Sequence, residues 1–562
     1  MTCSVTVHGT GQVALVPEGA PVSDAILRTG ARFAMPCSGR GSCGKCVCWV
    51  SGAVSAVSAE EGALLSRAPA VGISDEIPAW RELFEHAPRD AEGFAPHLKE
   101  PPEPRFVRRL ACFCRVLGDC VVALPKEGGA AVLLGTEGAL PHHAVGISEE
   151  VPVWRAIEGY TPRDGERADA LGVAVDIGTT TVAIRLYSLA DGAVLASLGE
   201  MNRQGAFGAD VLSRIECANE HGIEQLCRAI SSQLTGMVSA SLSMAGVSAD
   251  RVTRAVVLGN TTMLHFAAGL DPRGIGVSPF IPESLFGDTR PASVLIACLP
   301  DTAELYMPRC ISAYLGADIT AGILAGGLTR RGGRALLIDV GTNGEMALAS
   351  DGKLLCCATA AGPAFEGAQI EMGMAALDGA ISRVRVVDGQ IVCDTIGNAP
   401  ARGLCGTGLI SAVYAMLKLG ALDESGSLVN DDESFALGNT GVYLTARDIR
   451  QVQLAKAAIA AGVETLLHEA RVCDVDEILL AGGFGSMIDP VEAAGIGLIP
   501  RRFVPKTRAA GNIALHGAAQ MLFSIGARRA AEREAATAIE VPLATNAVFM
   551  DQYIEQMMFP EV

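Results

Sequence analysis

Two stretches of this chain carry three apolar segments in the same order. LGVAVDIG, TTVAIRLYS and GAVLASLGE fall within residues 171–200, and RALLIDVG, GEMALAS and KLLCCATA fall within residues 334–360. Each segment has the length and the apolar make-up of a strand, and short turns separate them. From Leu171 onward such strands alternate with long helical stretches, which predicts an α/β fold. The echo between the two trios predicts a two-lobed domain with duplicated subdomains over residues 171–562. A chain of 562 residues has room for more than this, and each domain can bury a core of its own.

The residues ahead of Leu171 read differently. Over 1–126, CSVTVHG and GQVALVP look like strands joined by a hairpin, and CVCWVSG and DCVVALP look like later strands, giving a small β-rich (α+β) domain. Within it, MPCSGRGSCGKCVC places Cys37, Cys43 and Cys46 in a Gly/Ser-rich loop, and Cys112 follows in RRLACFC. Thiolates are soft ligands suited to both iron valences, and such a loop lets backbone N–H groups approach cluster sulfurs. The Cys-x5-Cys-x2-Cys spacing is one residue longer than the plant-type pattern. It is similar to the adrenodoxin-like branch of [2Fe–2S] ferredoxins, whose fourth ligand also lies in an RLAC stretch, matched here by residues 109–112. The gap from Cys46 to Cys112 is longer than in that family, and an insert at about 67–105 accounts for it. Cys48 and Cys114 are alternative ligands, and a zinc knuckle is the competing use of such thiols. The remaining cysteines, Cys217, Cys227 and Cys473 among them, read as buried apolar residues.

A second short repeat joins the two regions. VGISDEIPAWRELFEHAPRD at 71–90 resembles VGISEEVPVWRAIEGYTPRD at 145–164, each with one Trp, Trp80 and Trp154. A duplicated surface linker is the plain reading and a pair of docking elements the sharper one. Residues 127–170 read as a linker or a reduced middle domain.

No Gly-x4-Gly-Lys-Ser/Thr occurs, so the chain is not a P-loop protein. Instead a strand ends in Asp176 and runs into Gly178, Thr179, Thr180 and Thr181, and another ends in Asp339 and runs into Gly341, Thr342 and Asn343. Turn amides and Thr hydroxyls suit phosphate oxygens, and a strand-end Asp suits Mg²⁺ held through water. AGGFGS, with Gly482, Gly483 and Gly485, lets the backbone lie close against a nucleoside. LCGTGLISAVYAM reads as a turn at Gly406 that opens a helix, a further nucleotide contact. One Asp-Gly turn is a common structural feature. Two in order, followed by Gly-Gly-x-Gly, resemble the actin, sugar-kinase and heat-shock-protein superfamily, which implies ATP and Mg²⁺ as ligands.

Composition excludes several classes. The formal net charge of −18 argues against nucleic acid, whose phosphates call for clustered Lys and Arg. No apolar run approaches a bilayer's span, and MTCSVTVHGT lacks the features of a signal peptide. Seventeen cysteines without an export signal point to a reducing cytoplasm and to metal ligation.

An iron–sulfur module ahead of an actin-like ATPase resembles the reductive activators of corrinoid proteins. The resemblance extends to LGNTTMLHF, AAGPAFEGAQIEMGMAALDGAI, TARDIRQVQLAKAAI and the closing FMDQYIEQMMFP. It implies ATP-dependent reduction of a corrinoid protein from Co(II) to Co(I) for methyl transfer, a low-potential electron donor, a homodimer, and roles for Asp176 and Asp339 on Mg²⁺ and water. It also implies Cys37, Cys43, Cys46 and Cys112 as the ligands of a [2Fe–2S] cluster. An ATP-gated electron donor to another low-potential metalloenzyme and a redox-responsive nucleotide-binding switch are the competing functions. Three further residues have plain readings. Asn260 is a helix cap or a substrate contact, Glu366 a turn or cleft residue, and His265 a surface or core residue.

Overall fold

The computed structural model describes residues 2–8, 12–29, 46–67, 106–124, 169–330, 332–367, 369–429, 433–482 and 488–561, with the side chains of Leu27, Ser66 and Arg67 left aside. Both copies of the VGIS repeat lie outside these residues. Two compact units emerge, Met1–Gly128 with Gly205–Ala209, and Gly129–Gln204 with Asp210–Val562.

The first unit is built on one sheet. Its strands are β1 (Thr2–Val7), β2 (Val13–Pro17), β3 (Val47–Val54), β4 (Val107–Leu110) and β5 (Val116–Ala123), in the order β2-β1-β5-β3-β4. The expected hairpin of β1 and β2 is antiparallel, whereas β1 and β5 pair in parallel. Alternation along β1 and β2 sends Cys3, Val5, Ala14 and Val16 inward, where Val22, Ala25 and Ile26 of helix Val22–Thr29 cover them. A second helix, Ala59–Arg67, carries Glu61 to a fully buried position.

The second unit contains the two predicted trios. The first is β6 (Leu171–Ile177), β7 (Thr181–Ser188) and β8 (Val194–Met201), extended by β9 (Val252–Gly259), β10 (Asp288–Pro291) and β11 (Glu304–Met307) into the order β10-β11-β9-β6-β7-β8. The second is β12 (Ala335–Val340), β13 (Gly344–Ser350) and β14 (Lys353–Thr359). After them come β15 (Ala380–Val387), β16 (Gln390–Thr395) and β17 (Gly403–Leu404) in a small sheet, and the β18–β19 hairpin (Ser434–Ala436, Tyr443–Thr445). Then β20 (Glu477–Ala481), β21 (Thr507–Gly511) and β22 (Ile539–Glu540) complete the order β21-β20-β12-β13-β14-β22. In each lobe an antiparallel meander of three strands pairs in parallel, through its first strand, with a later strand. The duplication therefore holds at the level of topology.

Two helices tie the lobes together. Helix Ala317–Gly326 packs on β9 of the first sheet and on β12 and β13 of the second. Helix Ile513–Phe523, which follows β21, crosses back to pack on β6 and β9. They meet where Gly517 faces Ala321, and any Cβ at Gly517 would collide with the Ala321 carbonyl oxygen. Helix Ala446–Ala470 is buried along most of its length and lies in the core of the second lobe. Among the described residues no helix is long and apolar enough to cross a membrane.

Candidate active site

The two Gly/Thr turns open onto one cavity of the second unit. Asp176, Gly178, Thr179, Thr180 and Thr181 line it from the first lobe. Asp339, Gly341, Thr342, Asn343, Gly406 and Gly482 line it from the second. Gly483 and Gly485 lie outside the described residues. At Gly482 the backbone takes φ +124°, and a side chain there would strike the Val340 carbonyl oxygen, so the glycine is required. Gly406 begins helix Gly406–Lys418, with Cys405 at its N-cap, as the turn reading anticipated.

The first turn is held by its neighbours. Asn202 donates to the Gly178 carbonyl at 2.8 Å, and Arg214, itself buried, donates to the Thr179 carbonyl at 2.5 Å. Asn260 is a helix cap, and it also lines the cavity. Its side-chain oxygen caps helix Thr261–Ala268 through Met263 N at 3.0 Å, and its amide donates to Thr179 Oγ1 at 3.0 Å. His265 is a core residue with Nδ1 2.7 Å from the Thr261 carbonyl.

Carboxylates dominate the floor of the cavity. Asp176 accepts from Asn512 Nδ2 at 2.8 Å, and Asn512 Oδ1 caps helix Ile513–Phe523 through Leu515 N at 2.8 Å. Asp339 stands opposite Glu345 in the β12–β13 register, so the two side chains share one face of the sheet. Asp318, at the start of helix Ala317–Gly326, also faces the cavity. Burial raises the Asp176 carboxyl to about 6 against the pull of the Asn512 amide. Burial and then the charge of Asp176 raise Asp339 to about 7. Burial and then the charges of Asp176 and Asp339 raise Asp318 to about 8. Glu345 is raised well above its ordinary value by burial and by Asp318, and its Oε1 is buried without a hydrogen-bond partner. Carboxylates crowded in this way favour a bound cation, because a divalent charge relieves both the desolvation and the mutual repulsion. Among the described residues no three such side chains are already gathered around a metal position, so the cleft offers carboxylates to a cation without a formed coordination site.

Glu366 lies at the end of the turn Pro363–Glu366 and also faces the cavity, so both of its readings apply. Its Oε2 accepts from Thr180 Oγ1 at 2.6 Å and from Thr342 Oγ1 at 2.5 Å, one hydroxyl from each lobe. Asp318, Glu345 and Asn512 are not among the residues expected from the sequence. Only Glu345, in the turn TNGE, stood close enough to a strand-end Asp to be found.

In the first unit Cys46 and Cys112 are both buried, with their sulfurs 3.2 Å apart, and Ala111 N donates to the Cys46 carbonyl at 2.9 Å. Adjacent thiols at the edge of a core fit a soft metal centre. Cys37 and Cys43 lie outside the described residues. Cys48 and Cys114 are sealed in the core, and burial holds their thiols above the ordinary range, Cys114 at about 11. Among the other cysteines one expectation fails: Cys473 is exposed, and Cys217 and Cys227 are half-buried, because all three sit at helix surfaces or ends outside the cores.

Comparison with known proteins bears on this geometry. The chain is 32% identical over 434 residues to the corrinoid activation enzyme RamQ of Eubacterium limosum, covering 71% of this chain and 72% of that protein. The chain belongs to the reductive activators of corrinoid proteins. Residues 334–562 match the family model described as the C-terminal domain of RACo, the ASKHA domain, and residues 171–331 match the RACo middle region. The middle-region match thus begins with β6 and runs through the first lobe. A solved structure named reductive activator for corrinoid, iron–sulfur protein superposes with a TM-score of 0.65 at 27% identity, covering 99% of this chain and 98% of that one. The [Co(II) methylated amine-specific corrinoid protein] reductase of Methanosarcina barkeri is 27% identical over 363 residues, 58% of this chain and 66% of its own length. The expected multidomain α/β fold with an actin-like ATPase domain is the fold of this family.

Proposed function

We propose that this protein is an ATP-hydrolysing iron–sulfur activase that returns a corrinoid protein from Co(II) to Co(I), so that methyl transfer can resume. The observation that carries the reading is the pair of duplicated hairpins, whose strand-end carboxylates, Asp176 and Asp339, face one cleft. Names borne by relatives support the corrinoid protein as partner.

Within the cleft, Asp176 and Asp339 would hold Mg²⁺, and Thr179, Thr180, Thr181, Thr342 and Asn343 would hold phosphate oxygens. Gly406 and the 482–485 turn give the nucleoside room against the backbone. Cys37, Cys43, Cys46 and Cys112 would hold a [2Fe–2S] cluster, which when bound supplies a one-electron carrier near −400 mV, roughly the ferredoxin range. Reducing a corrinoid to Co(I) demands a lower potential still, so the ATP-dependent part of the chain has to change how the corrinoid partner is held. Helices Ala317–Gly326 and Ile513–Phe523 join the lobes, and phosphate contacts on both turns bias their relative position. We assign residues 1–126 to a ferredoxin-like domain with an insert at about 67–105, 127–170 to a linker, and 171–562 to the ATPase. A homodimer in the cytoplasm, fed by a low-potential donor, completes the proposal.

The test mixes the protein with reductant and a Co(II) corrinoid protein under anaerobic conditions, with and without Mg-ATP. Appearance of the Co(I) absorption band only with Mg-ATP is the expected result. A band of equal size without nucleotide, or none with several corrinoid proteins, would sink the proposal.

A further inference from the structure

Five carboxylates face the nucleotide cleft, and their surroundings separate them. Asp176 and Asp339 end equivalent strands and suit the metal. Asp318 accepts from Ile319 N of its own helix at 2.9 Å. Glu345 lies one strand over from Asp339, and the matching position of the first lobe, opposite Asp176, is Ala183. Among the hydrogen bonds described, only Glu366 is bonded to both phosphate turns, and it uses the same oxygen for each.

That oxygen marks a point in space. Thr180 and Thr342 belong to turns of opposite lobes, and their hydroxyls converge on this one oxygen, so phosphate oxygens held by both turns would lie beside it. A carboxylate oxygen there would be within reach of a water attacking such a phosphate. Burial raises the Glu366 carboxyl above its ordinary value, which suits a group that has to take a proton, and the same two hydroxyls oppose that rise by favouring the ionised form. Arg214 is the nearby positive charge, held apart by its bond to the Thr179 carbonyl.

Resting on the ATPase reading above, we infer that Glu366 is the catalytic carboxylate that accepts a proton from the water attacking the γ-phosphate. In the step an O–H bond of water breaks and its proton passes to a Glu366 carboxylate oxygen. The water oxygen forms a bond to Pγ while the bond from Pγ to the β-bridging oxygen breaks. ADP and inorganic phosphate leave, and Glu366 returns its proton to solvent. No co-reactant is needed. Thr180 and Thr342 exchange their bonds to Glu366 for bonds to phosphate as the nucleotide enters, which frees the carboxylate to meet the water.

The experiment measures phosphate release and nucleotide affinity on the full chain, for wild type, E366Q, E366A and D318N. General-base catalysis contributes roughly 10²–10⁴-fold, so E366Q should lose about a hundredfold or more in kcat while the Kd for a fluorescent ATP analogue changes by less than about threefold. E366A should lose as much, and added formate should restore part of its turnover, an effect a purely structural role cannot produce. Circular dichroism melts establish that each variant folds, and if E366Q does not, the formate response of E366A decides alone. Hydrolysis by E366Q within about threefold of wild type, a loss confined to Kd, or no formate rescue of E366A would overturn the assignment. So would loss of turnover in D318N with E366Q still active. If wild type binds ATP without hydrolysing it, the ATPase reading falls and this assignment with it; if wild type hydrolyses and E366Q does too, only the assignment falls.

Discussion

Replacing Arg109 tests the structural logic of the cysteine-bearing unit. Arg109 and Glu61 form an ion pair buried on both sides, at 2% and 1% exposure. Arg109 Nε donates to Glu61 Oε1 and Nη2 to Oε2, each at 2.8 Å, and the Leu110 amide adds a third bond to Oε1 at 2.9 Å. The Arg109 Nη1 also donates to the Ser55 carbonyl at 2.5 Å. R109L would leave a buried carboxylate with the Leu110 amide as its remaining donor among these. Stranding one partner of a buried pair costs about 3–5 kcal/mol, whereas exchanging both for apolar residues is often near neutral. At a denaturant slope of about 2 kcal/mol per molar urea, mid-range for small domains, R109L should lower the urea midpoint of this unit by roughly 1.5–2.5 M. Trp49 emission in a W80F/W154F background reports the transition, since Trp49 lies in the core of the unit. The double variant E61L/R109L should recover most of the loss. Two results would refute the reasoning: R109L within about 1 kcal/mol of the background, or a double variant no more stable than R109L. The second outcome would trace the loss to packing of the Arg109 stem and not to the stranded charge.

Three further outcomes are expected. D176N and D339N should each reduce ATP turnover by at least about a hundredfold, the scale of one preorganised electrostatic contact, while leaving the visible absorption of the cysteine-bearing unit unchanged; a parallel loss of that absorption would contradict the separation of the two sites. N512A removes the bond to Asp176 and the cap of helix Ile513–Phe523, so Mg²⁺ affinity measured by titration should fall about 10–100-fold, as for other groups that orient a metal ligand, with a stability loss of about 1 kcal/mol from the cap. Lys456 is buried, donates to the Met558 carbonyl, and is lowered to about 8 by burial. A lysine whose folded value lies below its unfolded one penalises the native state while the unfolded chain holds the proton, so stability should rise as pH climbs from about 8 toward 10.5; K456M should flatten that rise in thermal melts, and an unchanged slope would show that Lys456 does not produce it.

Much of this site is legible in the sequence, and the reason is local geometry. Asp176 and Asp339 announce themselves because each ends an apolar strand and precedes a Gly/Thr turn, a pattern fixed by a few neighbouring residues. Asn260 is equally local, since a cap must stand directly before its helix. Asp318 and Asn512 are not legible, because each reaches the cleft through the crossing of helices Ala317–Gly326 and Ile513–Phe523, a tertiary event with no short-range signature. Glu345 is intermediate: its spacing from Asp339 is visible, but its facing direction follows only from the register across the hairpin. Hydropathy failed for Cys473 because cysteine counts as apolar whether a helix end is covered or exposed.

The links across the cleft suggest how nucleotide could bias the lobes without moving either sheet. Asn512 follows β21 of the second lobe yet holds Asp176 of the first, and Glu366 of the second lobe joins Thr180 of the first to Thr342 of its own. A phosphate chain and its metal would compete for these same groups, since they include a strand-end carboxylate and the turn hydroxyls. Each displaced link is a hydrogen bond to a charged group, worth about 1.5–3 kcal/mol. That is of the same order as the roughly 1–3 kcal/mol that ordinarily couples two sites. Exchanging two such links for phosphate contacts therefore supplies enough differential energy to shift the lobes. The shift should depend on the terminal phosphate, because the Glu366 bridge lies where the two turns meet, so ADP should leave that bridge in place where ATP breaks it.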